Sequence, residues 1–521
     1  MSALANAPFY VTTSGGYLLV LAIILPAVAV LAMLLVPPRH VARIAFAVMA
    51  AGLAVALVIV AELVGTGMAL AYVVGGWQPP LGLALRADGL SAAMLAMTAV
   101  VICATGLFAR FHQCLEPETQ DGRAATTFWP LLMAIWSALN AIFVGEDLFT
   151  LYVALELLTF AAVPLVCLDG RAETIAAALR YLMFALLGSL LYLLGAALLY
   201  GVFGALDIHS LSRLDGGAPA VTVALGLMIA GLLAKAALFP LHLWLPPAHA
   251  GAPAAASAVL SALVIKAPVF LILRLVLDVA PSSAGPLAGQ IFIGQILIGQ
   301  ILAVLGASSI LFCSVMAFRQ QRLKLMIAYS TVAQIGYLFI VFPLAAGTET
   351  LPAWGTIAWT GGALQLVSHA LAKAAMFMAA GAVAEAFGHD RISDLGGFGR
   401  ILPISALAFG LAGLSLMGLP PSGGFIAKCL LLTAAVTGGH PWLAATILAG
   451  GLLAGGYVFR IVDRALATPA VELVARRPIP RRLEAVALVL ALAAVGVGFV
   501  PLQPFGFLQL GRPAVSAMVA P

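Results

Sequence analysis

The chain is long, strongly apolar and sparsely charged: of its 521 residues 63% are hydrophobic and 9% charged, and the net charge is +5. A mean hydropathy of +1.13 excludes a soluble multi-domain protein and predicts one integral membrane domain over residues 1–521. The positive charge does not indicate a nucleic-acid partner, because the basic residues fall in short loops between apolar runs. The predicted environment is the lipid bilayer.

Fourteen apolar runs predict an all-α polytopic membrane protein with about 14 transmembrane helices. Between the second and third runs, alternating and aromatic residues around Gly75–Gly76 and Pro79–Pro80 predict a short hairpin outside the membrane. The twelfth run is too long for one straight span and contains GLPPSGGF, which predicts one broken helix. The predicted helices cover residues 17–36, 41–63, 88–109, 127–145, 147–168, 174–203, 221–240, 254–277, 291–318, 323–343, 354–384, 402–437, 441–462 and 484–502.

The basic residues orient the predicted helices in the membrane. Of the 25 Lys and Arg residues, four lie inside apolar runs, seventeen follow odd-numbered helices and three follow even-numbered ones. Because Lys and Arg accumulate in cytoplasmic loops, both termini are predicted to face the periplasm or cell exterior. The expected location is the inner membrane of a prokaryotic cell, crossed many times.

A carboxylate and four amines lie deep inside apolar runs: Glu156, Lys235, Lys266, Lys373 and Lys428. A charge at the bilayer centre costs at least ~2.5–3.5 kcal/mol, so such a series predicts a proton or cation path. The nearest candidate partner for Glu156 is Lys235, which lies five residues before Pro240. That proline should break the seventh helix and open a hydrated cavity beside the lysine. Glu156 and Lys235 are therefore predicted to pair as a switchable relay element.

The segment after this break contains His242 and His249, and Lys266 lies near the centre of the following helix. Histidine titrates near neutral pH, so either ring could connect the cytoplasm to the lysines. A histidine beside a helix break can also simply satisfy backbone groups, and that alternative stays open for both. Lys266 is too central to extend to the membrane surface, which favours a place in the relay.

The later half of the chain carries a similar arrangement. SHALAKAAMF places His369 and Lys373 four residues apart on one helical face, and Lys428 follows the Pro/Gly break of the twelfth helix. Each half thus has an interrupted helix with a lysine close to the interruption, a pattern typical of transporters built from repeats. The alternative for Lys373 and Lys428 is a pairing of charges for packing only.

The remaining polar residues indicate neither a catalytic centre nor a cofactor. Glu146 and Asp147 begin a helix, where acids interact favourably with the helix dipole. Glu385 either binds a cation at the membrane interface or is a solvated helix end, and with His242 it is a weaker relay candidate. The five cysteines form no Cys-x-x-Cys pair, and neither a phosphate loop nor a dinucleotide fingerprint is present. No cofactor, no metal site and no catalytic residue are predicted.

These segments resemble the antiporter-like proton-translocating subunits of respiratory complex I, Mrp-type cation/proton antiporters and group 4 membrane-bound hydrogenases. The resemblance covers nearly the whole chain and is most specific in LYVALELLTF, AKAALFPLHLWLPPAHAGAP, SALVIKAP, RLKLMIAYSTVAQIGY, SHALAKAAMF and LPPSGGFIAK. It implies two inverted five-helix repeats with helices 7 and 12 broken. The implied parts are residues 1–123 (helices 1–3 with the hairpin), 124–280 (repeat one, helices 4–8), 285–465 (repeat two, helices 9–13) and 484–521 (last helix and tail).

The resemblance also implies a role for each buried charge. In that family a fifth-helix Glu modulates a seventh-helix Lys, which exchanges protons through the eighth and eleventh helices with a terminal residue on the broken twelfth helix. Together with the histidine that follows the first break, the implied proton relay consists of Glu156, Lys235, Lys266, His249, His369, Lys373 and Lys428.

Details of the motifs indicate the branch of the family. Lys428 stands where one complex I subunit has Glu, which favours Mrp-type D subunits or the complex I subunit with Lys at that place. Pro247 and Ser368 depart from the common motifs. The expected function is a proton-conducting subunit, with exchange for Na+ or K+ left open, whose partners are membrane subunits of a complex I-like, Mrp-like or hydrogenase-like assembly. The alternatives are an ion-pumping subunit of a hydrogenase-like redox complex, a free-standing transporter of an organic solute, and a structural scaffold.

Overall fold

The N-terminal part forms three long helices and a small hairpin. The computed structural model describes residues 10–113, 122–212, 219–279, 288–345, 353–468, 473–500 and 503–511. The elements of this part are α1 (Tyr17–Leu35), α2 (Pro38–Thr66), β1 (Leu70–Val73), a 3-10 turn (Val74–Gly76), β2 (Ala84–Ala87) and α3 (Gly89–Gln113). The two strands are antiparallel, with Leu70 opposite Ala87, so the predicted hairpin is present.

The middle of the chain holds the first interrupted helix. Its elements are α4 (Arg123–Val144), α5 (Leu148–Val166), α6 (Ala172–Phe203), α7 (Ile208–Leu211), α8 (Pro219–Lys235), α9 (Leu245–Gly251), α10 (Ala254–Val259) and α11 (Lys266–Arg274). Two π-helical turns, Leu260–Val264 and Leu275–Val279, continue α10 and α11 into one span. The sequence pattern did not predict these π-helical turns.

The later part repeats the interruption. Its elements are α12 (Ala288–Arg319), α13 (Leu323–Phe339), α14 (Val341–Ala345), α15 (Ala353–Phe387), the 3-10 turn Ile392–Asp394, α16 (Phe398–Ile401), α17 (Pro403–Met417), α18 (Gly423–Thr437), α19 (Pro441–Leu466), α20 (Arg481–Gly496) and the 3-10 turns Val497–Phe499 and Gln503–Gln509. The predicted broken twelfth helix is thus present as α17 and α18.

The predicted fold class is confirmed. Within the described ranges, twelve helices are long and apolar enough to cross a membrane, and the interrupted seventh and twelfth spans bring the total to about fourteen. Helices suit this environment because they satisfy their own backbone hydrogen bonds where water is absent. The core lies around Ala254–Val279 and α15. In the most apolar 18-residue stretch of these two spans, 100% and 94% of the residues are buried, compared with 33% in α1.

The first interruption begins earlier than the sequence predicted. The expected helix extended to residue 240, but α8 ends at Lys235 and Ala237 adopts a positive φ of 54°. Pro240 has no N–H to continue the helical hydrogen bonds, so the last turn unwinds before it. The amine of Lys235 therefore projects from the last residue of a helix, directly at the break.

The second interruption contains Gly418, with φ of 81°, which ends α17 in the left-handed conformation typical of helix C-termini. Ser422 then begins α18, since its hydroxyl accepts a hydrogen bond from the backbone N–H of Phe425 at 3.1 Å. A Cβ atom at Gly418 would lie 2.7 Å from Cδ of Lys428. The left-handed turn thus leaves room for the lysine stem beside the break.

Candidate functional site

A buried ion pair joins α5 to the end of α8. Lys235 Nζ lies 3.1 Å from Glu156 Oε1 and donates to Thr159 Oγ1 at 3.0 Å. The hydroxyl of Ser189 on α6 also donates to Glu156 Oε1. The side chains of the lysine and glutamate are 6% and 14% exposed. The predicted pairing is present. Thr159 and Ser189 are additional partners that the sequence analysis did not name. Thr159 follows Glu156 by three residues, a spacing that places both on one face of the helix.

Trp244 stabilises the helix break beside this ion pair. It lies within the motif AKAALFPLHLWLPPAHAGAP, but the sequence analysis gave it no role. Its indole N–H donates to the carbonyl of Ala234 in the last turn of α8 at 2.9 Å. Its ring stacks on Tyr181 of α6, with centroids 4.2 Å apart and planes 7° apart. A helix end has carbonyls without helical partners, and Trp244 supplies a donor to one of these end carbonyls.

The two histidines of the interrupted span have different surroundings. His242 lies among aromatic rings, 5.5 Å from Phe239 and 6.2 Å from Tyr329 between ring centroids. His249 is fully buried and stacks on Phe377 of α15 at 4.6 Å. Within the described residues neither ring nitrogen of His249 has a hydrogen-bond partner, so satisfying backbone groups does not explain this histidine. Buried polar atoms without partners are uncommon, so the two ring nitrogens of His249 require an explanation other than backbone hydrogen bonding.

A polar cleft of about 370 Å³ lies at the end of α9 that carries His249. Three basic side chains on its wall donate to successive carbonyls at that helix end: Arg322 to Ala250 at 3.3 Å, Arg171 to Gly251 at 3.1 Å and Lys324 to Ala252 at 3.1 Å. Cations at a helix C-terminus interact favourably with its dipole. The short helix with His249 is therefore fixed beneath a hydrophilic opening.

Lys266 and Lys373 are both completely buried, on facing central spans. Lys266 Nζ donates to the carbonyl of Ser261 in the π-helical turn at 3.1 Å. Lys373 Nζ donates to the carbonyl of Ile327 at 3.1 Å and to the hydroxyl of Ser330, both on α13. Neither amine has a carboxylate within 4.0 Å in the described parts of the chain. Neutral acceptors therefore bind both amines.

His369 lies one turn before Lys373 on α15 and is 1% exposed. Among the residues with described placement, neither of its ring nitrogens has a hydrogen-bond partner. A neutral imidazole has one donor and one acceptor nitrogen, so it can receive and deliver a proton at different atoms. The structure places His369 and Lys373 in the same buried core, as the four-residue spacing predicted.

Lys428 occupies the second helix break. Its Nζ donates to the carbonyl of Leu416 in the last turn of α17 at 2.5 Å and lies 4.3 Å from the ring centroid of Tyr337. The same carbonyl accepts from Gln334 Nε2 at 3.1 Å, and Gln334 Oε1 accepts from Gln365 at 3.1 Å. The two glutamines are polar core residues that sequence reasoning missed, although IAYSTVAQIGY contains one of them.

Packing of the helices puts these groups in an order. The helix ending at Lys235 packs against α11, and the π-helical turn beside Lys266 packs against α15. The helix with His369 and Lys373 in turn packs against α18, which carries Lys428. The predicted charges therefore occupy consecutive neighbouring helices through the centre of the molecule.

Glu385 lies apart from this series, near the end of α15. It is paired with His112 of α3, whose Nε2 is 3.4 Å from Glu385 Oε2, and with Arg477 in the segment after α19. Its side chain is 24% exposed. Glu385 thus links three segments at a helix end rather than joining the buried lysines.

A second group of ionisable residues lies next to the hairpin, and of its members the sequence analysis considered only Glu146, as an acid at the start of a helix. We call Arg86, Asp88, Glu146, Asp207, Arg274 and Asp278 the hairpin-end cluster. Arg274 Nη1 lies 2.7 Å from both Asp88 Oδ2 and Asp278 Oδ2, and its Nη2 donates to Ser91 at 3.1 Å. Arg86 Nη1 lies 3.8 Å from Glu146 Oε1. Arg274 and Asp278 are four residues apart, a spacing visible in the sequence, whereas Asp88, Glu146 and Asp207 come from distant segments that no local spacing connects.

Electrostatics differ between the two carboxyls at the centre of the hairpin-end cluster. Burial raises the pKa of Glu146 to about 7, although Arg86 and Arg274 oppose this shift. Burial also acts to raise the pKa of Asp88, but the charges of Arg274 and Arg86 and the hydrogen bonds from Ser91 hold it below its ordinary value. Of these two carboxyls, Glu146 is the one whose charge changes near neutral pH. Within the described ranges, no group of three or more His, Cys, Asp or Glu side chains could hold a metal ion.

Comparisons with known proteins match this architecture. Residues 145–454 match the family described as NADH:quinone oxidoreductase/Mrp antiporter, TM. The NADH-quinone oxidoreductase subunit N of Desulforudis audaxviator is 35% identical over 474 residues, covering 88% of this chain and 89% of that protein. The D subunit of the Na(+)/H(+) antiporter of Alkalihalophilus pseudofirmus is 29% identical over 387 residues, covering 73% of this chain and 72% of that protein.

A solved structure shows the same fold over nearly the whole length. A chain in the structure of the Mrp complex from Dietzia sp. DQ12-45-1b matches with a TM-score of 0.80 and 26% identity, covering 96% of this chain and 95% of that chain. All seven predicted relay residues fall within the range that the family matches. The match covers more than half of this multi-pass membrane protein, which therefore belongs to the NADH:quinone oxidoreductase/Mrp antiporter transmembrane family.

Proposed function

We propose that this chain moves protons across the membrane through a relay of Glu156, the buried lysines and the histidines between them, as one subunit of a larger membrane assembly. The proton enters or leaves the series beside His249, passes Lys266 and the pair His369–Lys373, and reaches Lys428 at the second break. Lys235 exchanges with this series under the control of Glu156. Exchange for Na+ or K+ is a property of the assembly rather than of a site seen in this chain.

The observation that carries this proposal is the Glu156–Lys235 contact of 3.1 Å at a broken helix end, followed by three buried amines without a carboxylate partner in the described residues. An unpaired ammonium inside a membrane protein is costly, and a lysine in such a place readily becomes a neutral amine. Pairing with Glu156 favours the charged form of Lys235, so separating the pair favours release of its proton. Four amines that can change charge in this way form a proton relay rather than a set of structural charges.

The surroundings of the relay also support this function over transport of an organic solute. A solute carrier needs a mid-membrane pocket lined by aromatic and hydrogen-bonding groups. The polar cleft of about 370 Å³ instead lies at the loop end of α9, where Arg171, Arg322 and Lys324 lie on its wall together with Glu173 and Asp390. We place this cleft on the cytoplasmic side, because most Lys and Arg residues follow odd-numbered spans. Both chain termini then face the periplasm or exterior of a prokaryotic inner membrane.

Substitution of Lys235 tests the proposal. Arginine keeps a positive charge but does not release its proton, whereas methionine removes the charge and keeps much of the volume. We expect both Lys235→Met and Lys235→Arg to abolish proton movement, measured with a pH-sensitive dye in vesicles that contain the assembled complex. Glu156→Gln should slow it, because the lysine loses the partner that switches its charge.

The control for this experiment is Lys324→Arg. Lys324 is the one lysine of the chain outside the buried series, and its amine binds the carbonyl of Ala252, a bond that arginine can also make. This variant should keep proton movement near the wild-type rate. A Lys235→Arg variant that retains normal proton movement would show that the position needs only a positive charge, and the relay would have to be given up.

The partner subunits decide the energy source. The relatives named above belong to a quinone oxidoreductase and to a cation antiporter, so each predicts a different assembly. Gentle purification from native membranes, followed by mass spectrometry of the subunits that remain bound, distinguishes the two assemblies. Iron–sulfur or hydrogenase-type subunits in the complex would mean redox-driven pumping, whereas small membrane subunits alone would mean cation/proton exchange.

A further inference from the structure

A pair of buried hydroxyls lies between the central lysines. Ser261 Oγ and Thr331 Oγ1 are 2.8 Å apart, and both residues are completely buried. Ser261 belongs to the π-helical turn before Lys266, and Thr331 belongs to α13, beside the carbonyl that binds Lys373. The pair thus makes a direct contact between the helices of the first and second halves of the chain.

Each hydroxyl residue is also tied to one lysine. The backbone carbonyl of Ser261 accepts from Lys266 Nζ at 3.1 Å. Thr331 Oγ1 donates to the carbonyl of Ile327 at 2.9 Å, and this same carbonyl accepts from Lys373 Nζ at 3.1 Å. The result is a connected set of polar groups that begins at one buried amine and ends at the other.

The carbonyl of Ile327 has more donors than it can satisfy fully. Besides Lys373 and Thr331, the hydroxyl of Ser330 donates to it at 2.8 Å. A carbonyl oxygen has two lone pairs, so these three side-chain donors compete for it with one another and with the helical N–H of Thr331. A charged ammonium makes a stronger hydrogen bond than a neutral amine or hydroxyl, and it therefore takes one of these places when Lys373 is protonated.

This competition couples the direction of the hydroxyl pair to the charge of Lys373. When Lys373 is neutral, Thr331 donates to Ile327 and accepts from Ser261. When Lys373 is an ammonium, Thr331 can turn its proton toward Ser261, because either oxygen of the pair can be the donor. The two arrangements differ only in hydroxyl rotation, and no backbone movement is needed.

We propose that Ser261 and Thr331 are positioning residues that orient Lys266 and Lys373 for proton exchange across the contact between the two halves of the chain. In this exchange an N–H bond of the Lys266 ammonium breaks and an N–H bond of Lys373 forms, so one amine becomes neutral as the other becomes charged. A water molecule between the two amines carries the proton, because backbone carbonyls cannot hand it on. The hydroxyl residues set the direction of the amines. The inference rests on the relay proposed above.

The test is removal of one hydroxyl at constant shape. Thr331→Val keeps the volume and branching of the side chain and removes its hydrogen bonds to Ser261 and Ile327. We expect proton movement per assembled complex to fall about 100-fold, the cost of misplacing the reacting groups by about 1 Å, with a shifted pH profile. Thr331→Ser, which restores the hydroxyl, should recover most of the rate.

Ser309→Ala is the matched control. Ser309 is also completely buried and its hydroxyl donates to the carbonyl of Val332 on α13 at 2.9 Å, but it contacts neither lysine. This variant should keep the wild-type rate and pH profile. Rates are divided by the amount of complex that assembles, so a loss of folding does not count as a loss of relay function.

The results with Lys235 and Thr331 variants distinguish a failure of the hydroxyl-pair inference from a failure of the proposed relay. If Lys235→Met abolishes proton movement while Thr331→Val keeps both the rate and the pH profile, the hydroxyl pair is structural and only this inference fails. If Lys235→Met leaves proton movement intact, the proposed relay fails and the inference fails with it. If Thr331→Val slows proton movement and Thr331→Ser is equally slow, the inference is also contradicted. The changed shape of the side chain, rather than the missing hydroxyl, would then explain the loss.

Discussion

At the residue scale, the buried amines differ in the groups that accept their hydrogen bonds. Only Lys235 has a carboxylate partner; Lys266, Lys373 and Lys428 donate to backbone carbonyls in the described residues. A neutral acceptor stabilises an ammonium less than a carboxylate does, so these three amines lack the compensation that Glu156 gives Lys235. The sequence predicted the positions of these amines, because a charge inside an apolar run is visible without a structure. It could not predict their acceptors, which are carbonyls brought near by the folding of the chain.

The hairpin-end cluster provides a residue-scale prediction on stability. Burial raises the pKa of Glu146 from an ordinary value of 4.5 to about 7. The folded protein then binds more protons than the unfolded chain between these values, so stability is fully present below about pH 4.5 and is lost as pH rises through 7. This group alone should reduce the free energy of unfolding by about 3 kcal/mol across that window. Thermal unfolding in detergent from pH 5 to pH 8 measures the loss.

Glu146→Gln should flatten this dependence, because glutamine stays neutral at every pH. Tyr10, Asp207 and Arg86 surround the same carboxyl and keep their own contributions in both proteins. Exchange of the exposed Glu173 for Gln is the control and should leave the slope unchanged. A Glu146→Gln protein with the wild-type slope would mean that Glu146 is not the group that titrates.

At the scale of elements, the two broken helices were predicted and the two π-helical turns were not. Proline and glycine mark a break directly in the sequence, as at Pro240 and Gly418. A π-helical turn requires only one extra residue within a helix, and Leu260–Val264 carries no residue type that distinguishes it from an ordinary α-helix. The turn nevertheless decides where Lys266 points. Side-chain direction in the core was therefore the least predictable part of the candidate site.

The break after α8 depends on Trp244, which gives a prediction at this scale. Trp244→Phe keeps a ring to stack on Tyr181 but removes the N–H that donates to Ala234. Leaving this hydrogen bond unmade in a buried place should cost about 1–3 kcal/mol of stability. Thermal unfolding of the purified protein in detergent checks it.

Trp136→Phe is the comparison for this variant. Trp136 is also buried, but its indole nitrogen has no hydrogen-bond partner among the described residues. Its replacement should therefore cost only the lost packing, and less than Trp244→Phe. Equal losses from the two variants would show that packing, rather than the hydrogen bond to Ala234, holds the break.

At the scale of the whole molecule, charge is divided between the two ends of the helices. Acidic residues collect near the hairpin, where Asp88, Glu146, Asp207 and Asp278 lie at helix ends. Basic residues collect around the polar cleft, where Arg171, Arg322 and Lys324 bind the end of α9. The approximate number of spans follows from hydropathy, and the twelve long apolar helices with the two interrupted spans agree with it within the described residues. The orientation in the membrane follows only from the charges, since the hydropathy of a span is the same in either direction.

Cysteine labelling tests that orientation. Nine spans separate the hairpin from the 3-10 turn after α15, and an odd number places the two on opposite sides of the membrane. Trp77 in the hairpin is 67% exposed, and Ser393 in the 3-10 turn is exposed as well. In a protein whose five native cysteines have been replaced, Trp77→Cys should react with a membrane-impermeant maleimide in intact cells. Ser393→Cys should react only after the cells are permeabilised.

The reverse pattern would put the polar cleft outside the cell, and the opening beside His249 would then face the exterior. Labelling after full denaturation is the control that both cysteines are present. The outcome bears directly on mechanism, because a proton-motive assembly must take protons from one defined side. With the cleft in the cytoplasm, His249 lies beneath a cytoplasmic opening, and the acidic hairpin end with Glu146 faces the opposite side of the membrane.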